Sequence, residues 1–128
     1  MASHLERELS SLKQELVGLG TMVENSVRKV ILAKEKNDQD LAKSIILKDK
    51  EIDQLEIEIE EECLKLLALY QPVAVDLRLM VSILKINENL EQIGDLAKEI
   101  SRRFISPIEN QKYLNLIIRL FLKKFNGW

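Results

Sequence analysis

Leu5, Leu9, Leu12, Leu16, Leu19, Val23, Ser26, Val30 and Ala33 recur at alternating spacings of four and three. A heptad stripe of that length packs helix on helix. It defines a first helix over residues 5–36. Gly18 and Gly20 fall inside it, and each costs roughly 1 kcal/mol relative to Ala in a helix interior. That cost predicts close packing by a neighbour, or a bend.

The punctuation that follows divides the rest of the chain. Asn37-Asp38-Gln39-Asp40 is a turn carrying N-cap residues. A second helix then runs to about residue 70, with its stripe at Ile45, Ile52, Leu55, Ile59, Leu66 and Leu69. Lys48-Asp49-Lys50-Glu51 interrupts the stripe and predicts a kink or register break. Pro72 fits only a first turn, so a third helix starts near it. Leu79, Ile83, Ile86, Leu90, Ile93, Ala97, Ile100 and Phe104 form its stripe. Ser106-Pro107-Ile108-Glu109 reads as a capping box that opens a fourth helix. Short links favour antiparallel neighbours. The expected fold is all-α: an up-down-up antiparallel three-helix bundle over 1–105, with an additional C-terminal helix over 106–128. Helices of ~30 residues would each span ~45 Å.

Composition agrees with one such domain. Hydrophobic residues make up 46% of the chain and aromatics 5%, a balance suited to a core of Leu, Ile and Val. No apolar run approaches the ~20 residues that span a bilayer. The start, Met1-Ala2-Ser3-His4-Leu5-Glu6-Arg7-Glu8, is too charged for the apolar core of a signal peptide. With one Cys, no disulfide framework forms within the chain. These features together predict a cytoplasmic protein. Residues 111–128 hold four bases and no acid, but no basic stripe interleaved with aromatics is present, so nucleic acid is not an expected partner.

Acids are concentrated where two helices meet. Residues 49–62 hold eight acids against one base, Lys50. If the second and third helices turn around near Gln71-Pro72, level residues have numbers totalling about 143 or 144. Asp49 then stands level with Asp95, Asp53 with Glu91, and Glu56 with Glu88. Within each helix the spacings keep these acids on one face. Like charges four apart repel by ~0.2–0.5 kcal/mol per pair, and a bound cation would relieve facing rows of them. Carboxylate oxygens suit Mg, Mn, Ca or iron, with Zn a further candidate. Gly94 beside Asp95 leaves room for an ion.

The remaining chemistry-bearing residues read as structural. Cys63 reads as a small packed thiol. Asp76 complements the helix dipole in a first turn, and Arg78 is placed to pair with an acid near the end of the second helix. His4 has no partner at helical spacing. No Ser-His-Asp or Cys-His set and no Gly-rich phosphate loop occurs, so no enzyme is expected.

Gln71-Pro72-Val73-Ala74-Val75-Asp76-Leu77-Arg78, with Glu91-Gln92-Ile93-Gly94-Asp95 downstream and Asp49-Lys50-Glu51-Ile52-Asp53 upstream, resembles the signature of the PhoU family. The resemblance covers about 100 residues at fixed spacings. Gln92 stands where an Arg is usual. The family carries two such repeats, of which this chain resembles one plus the start of a second. The resemblance implies a cytoplasmic negative regulator of phosphate uptake and phosphate-starvation signalling. Such proteins work by contact with a phosphate transporter component and a sensor histidine kinase, close to the membrane. It also implies metal binding through paired motifs, here Asp49-x-x-x-Asp53 and Glu91-x-x-x-Asp95. Two rival readings are a structural or degenerate helical module without signalling activity, and a ferritin-like metal enzyme. The latter uses Glu-x-x-His motifs, and the one His of this chain is His4.

The fourth helix carries its own expectation. Tyr113, Leu114, Leu116, Ile117, Ile118, Leu120, Phe121, Leu122 and Phe125 leave little of it polar. A helix apolar nearly all round is buried on several sides. One three-helix repeat covers one of them, which predicts self-association through residues 107–125 as a homodimer or higher homo-oligomer. A membrane surface attracted by Arg119, Lys123 and Lys124 is the lesser alternative.

Overall fold

The computed structural model describes residues 3–105 and 111–126, with side chains of the final segment described over 115–125. These residues form four helices: α1 (His4–Lys36), α2 (Gln39–Tyr70), α3 (Ala74–Ile105) and α4 (Gln111–Asn126). No strand occurs among the described residues. The fold is all-α, as the stripes require. The capping box expected at Ser106-Pro107-Ile108-Glu109 lies outside the described residues.

Each described helix end has a local cause. Ser3 caps α1: its Oγ accepts from the Glu6 N–H at 3.1 Å. Ser3 and Glu6 have the spacing of a capping box, a signal the sequence reading passed over. Asn37 ends α1 in the left-handed region (φ 54°). The Asp38 N–H then bonds the Ala33 carbonyl at 2.9 Å, closing a Schellman turn. Asp38 in turn caps α2, its Oδ1 accepting from the Leu41 N–H at 3.0 Å. Gln71 ends α2 at φ 45°, its N–H bonding the Leu67 carbonyl at 3.1 Å. Ala74 also takes a positive φ, 51°. Two left-handed residues close the turn within a few positions, so α3 starts at Ala74. Pro72 therefore sits in the link rather than in the first turn of the helix.

The chain divides into two compact units, Met1–Val23 with Glu51–Gln92, and Glu24–Lys50 with Ile93–Trp128. The long helices α1, α2 and α3 each supply a segment to both. In the first unit α2 and α3 run antiparallel: the Asn87 Nδ2 donates to the Glu56 carbonyl at 3.0 Å, and the Cys63 thiol to the Met80 carbonyl at 3.6 Å. Its core is Leu9, Leu12, Leu16, Leu19 and Val23 of α1, Ile52, Ile59, Cys63 and Leu66 of α2, and Met80, Ile83 and Leu90 of α3. The second unit buries Val27, Val30, Ala33, Ala42, Ile45, Ile93, Ala97, Ile100 and Phe104, joined by Phe121 of α4. A Val, Leu, Ile, Phe or Met fully buried in this way contributes roughly 1.5–3 kcal/mol.

The structure corrects the seam in several places. The polar run at Lys48–Glu51 breaks neither the helix nor the register: α2 is continuous, and Ala42, Ile45, Asp49, Ile52, Ile59, Cys63 and Leu66 keep one buried face. Asp49 occupies a core slot of that face. On α3, Asn87 is buried where Ile86 was expected, and Ile86 is 45% exposed. Leu69 is 65% exposed, because α2 ends one residue later. Gly18 and Gly20 need no close neighbour. A Cβ at Gly18 would meet nothing within 4 Å, and one at Gly20 would only touch Leu90 at 3.9 Å. Cys63 is fully buried, and desolvation raises its thiol pKa, which keeps it protonated and unreactive.

Candidate metal centre

Asp49 is where the continuous register of α2 puts a carboxylate into a core-facing slot. Its side chain is only 5% exposed. Buried carboxylates require a partner, and α3 supplies one. The Lys98 ammonium lies 2.9 Å from Asp49 Oδ2 and 3.7 Å from Asp95 Oδ1. Lys98 stands three residues beyond Asp95, hence on the same face of α3.

A carboxylate oxygen of Asp49 lies within 4.8 Å of one from Asp95, and likewise within 4.8 Å of one from Asp53, the next turn of α2. Asp49 therefore has two further carboxylates within reach. All-oxygen donors of this kind favour a hard cation. A metal bound here would take over, or share, the role that the Lys98 ammonium fills.

The six acids expected at a metal site do not all converge. Asp49 and Asp95 are the pair brought together in the second unit, and Asp53 follows Asp49 by one turn of α2. Glu91 lies one turn before Asp95 on α3, half-buried and outside that group. Glu56 and Glu88 belong elsewhere, to the wall of a separate cleft in the first unit. Lys98 is absent from the expected site: it stands about one turn from the level of Asp49 and reaches it through the length of its side chain. Facing acids imply an external cation, whereas in the folded chain a base on α3 already stands among them.

Long helices with a heptad-spaced apolar core and an acid-bearing seam make this an all-α helical-bundle protein. The PhoU domain model matches residues 16–104, a span that includes Asp49-x-x-x-Asp53 and Glu91-x-x-x-Asp95. The chain is 36% identical over 115 residues to the phosphate-specific transport system accessory protein PhoU homolog of Aquifex aeolicus, covering 88% of this chain and 52% of that protein. It is 36% identical over 111 residues to the phosphate-specific transport system accessory protein PhoU of Escherichia coli, covering 87% and 46%. It is 42% identical over 96 residues to the PhoU homolog of Caulobacter vibrioides, covering 75% and 42%. No solved structure matches it significantly. The chain belongs to the PhoU family. It spans about half the length of the curated relatives it matches.

Proposed function

We propose that this chain is an accessory protein of a phosphate-specific transport system. In this reading it restrains phosphate uptake and phosphate-starvation signalling by contact with a transporter component and a sensor histidine kinase. The observation that supports it is the family match through residues 16–104, with relatives whose names place them in that transport system. Its work is protein contact rather than catalysis, and its partners place it in the cytoplasm at the inner face of the membrane. Among the described helices none is long and apolar enough to cross a membrane. Tagged chain recovered from phosphate-replete cells is expected to bring down a transporter component or a sensor kinase, and its deletion to raise phosphate uptake. Recovery of neither partner class, with uptake unchanged on deletion, would leave only the rival of a structural module without signalling activity.

The same reading gives a divalent or trivalent cation, among iron, Mg, Mn and Zn, to Asp49, Asp53 and Asp95, with Glu91 completing the paired motifs. It also includes self-association through α4. Phe121 is buried and stacks on Phe125 with ring centroids 6.5 Å apart, whereas Leu116 and Leu120 are 52% and 58% exposed. The unit that seats Phe121 leaves the Leu116–Leu120 side uncovered. Pairing of two copies of α4 would cover it. Sedimentation of the intact chain is expected to give a dimer, and a Leu116→Ser/Leu120→Ser variant a monomer. A monomeric intact chain in the absence of detergent refutes the pairing.

A further inference from the structure

The first unit contains a cleft of about 410 Å³ lined by Glu56, Glu60 and Leu64 of α2 and by Leu84, Asn87 and Glu88 of α3. Three of the six lining residues are carboxylates. An acidic cleft on its own is an ordinary solvated surface, but this one has a second feature. Asn87 is 2% exposed. Its Nδ2 is committed to the Glu56 carbonyl at 3.0 Å, while its Oδ1 is buried with no hydrogen-bond partner among the described residues. A buried amide oxygen without a donor costs stability. The carbonyl of Glu56 does not require the Asn87 bond, because it lies within α2 and already serves the helix. An apolar residue of the same size would therefore have been the more stable choice for the seam. The Asn87 oxygen needs a donor or a cation, and the three carboxylates that line the same cleft favour positive charge.

The shape of the cleft narrows the ligand. A directly coordinated divalent cation draws its oxygen ligands to about 2.0–2.6 Å. Among the described residues, three acidic oxygens lie within 4.8 Å of one another only at Asp49, Asp53 and Asp95, so Glu56, Glu60 and Glu88 are not gathered for a bare ion. Half of the lining is also directional. Glu56, Glu60 and Leu64 follow one another at four-residue steps up one face of α2, and α3 descends beside them. Glu56, Asn87 and Glu88 therefore sit at one end, Glu60 stands level with Leu84, and Leu64 lies toward the hairpin turn. A wall that is acidic at one end and aliphatic at the other matches a cation carried on an apolar stem.

We propose that this cleft binds an alkylammonium or guanidinium group. The charged head meets Glu56, Glu60, Glu88 and the Asn87 oxygen, and the aliphatic stem lies along Leu84 and Leu64. Such a head could come from a free polyamine or from a Lys or Arg side chain of a partner protein. The site is independent of the metal reading at Asp49.

The test titrates the full 128-residue chain separately with spermidine, with a short Lys/Arg-containing peptide and with magnesium chloride at matched ionic strength, following the Asn87 side-chain amide by NMR. Saturable shifts of that amide are expected with spermidine or with the peptide, and the tighter of the two identifies the source. Glu88→Gln, at an exposed position, is expected to weaken binding by about tenfold. Asn87→Leu, titrated by isothermal calorimetry beside the wild-type chain, is expected to bind neither organic cation while keeping or raising the thermal midpoint. Saturation by magnesium alone, absence of shifts with both organic cations, or an unchanged affinity in Glu88→Gln would each overturn the proposal.

Discussion

Lys98→Met is expected to destabilise the chain by about 3–5 kcal/mol, read as a fall in the urea midpoint at constant slope. The reason is asymmetric burial. The Asp49 side chain is 5% exposed and that of Lys98 is 22% exposed, so losing the ammonium strands a charge that has little access to water. Asp49→Leu should cost less, because Lys98 keeps Asp95 at 3.7 Å and its stem can extend toward solvent. The double variant Asp49→Leu/Lys98→Met should come within about 1–2 kcal/mol of wild type or exceed it, since a buried ion pair offers little over a well-packed apolar pair. A double variant as weak as Lys98→Met alone would show that the pair is not the unit of stability. The same variant probes the metal proposal. With the ammonium gone, a cation at Asp49, Asp53 and Asp95 should restore about 2.7 kcal/mol at a concentration 100-fold above its Kd. Manganese, iron and magnesium salts should therefore raise the melting temperature more in Lys98→Met than in wild type. Asp95→Asn should blunt the effect. Equal responses in Asp95→Asn and in wild type would sink the metal site.

The Asp49–Lys98 pair also marks what helical spacing reveals and what it does not. Facing acids were legible from spacing and from the position of the hairpin turn, and Asp49 with Asp95 does come together. Glu56 with Glu88 was legible in height but not in chemistry, because level residues can line a cleft without sharing a ligand. Lys98 is not legible from spacing, because repulsion between facing acids calls equally for an external ion or an internal base. In the folded chain that demand is met by a base three residues away from Asp95. The helices themselves were more legible than their polar seam positions. The caps at Asp38 and the αL turn at Asn37 are local chemistry and follow from residue type. Asp49 and Asn87 are not local: their core placement is set by the register of the whole stripe, which overrides their polarity. A reading that searched only for apolar residues therefore saw a break at Asp49 and chose Ile86 in place of Asn87.

Ile59→Ala and Leu69→Ala separate the stripe as read from the stripe as folded. The spacing of α2 gives both residues the same status. In the structure Ile59 is fully buried and Leu69 is 65% exposed. Removing the Ile59 side chain deletes buried methylenes in a seam closed by α1 and α3, and the cost should be about 2–5 kcal/mol. Leu69 lies one residue before the end of α2, and its truncation should change stability by no more than about 0.5 kcal/mol. Ile86→Ala, at 45% exposure, should fall between the two, near 1 kcal/mol. Urea denaturation of the three variants decides the order. Equal losses at Ile59 and Leu69 would mean that something covers the hairpin end in solution. Two further apolar side chains near this end are exposed: Val73 in the link, at 75%, and Val75 in the first turn of α3, at 73%. A large loss at Leu69 that grows with protein concentration would then assign this end to an interface between copies. A loss independent of concentration would return Leu69 to the core of a single chain.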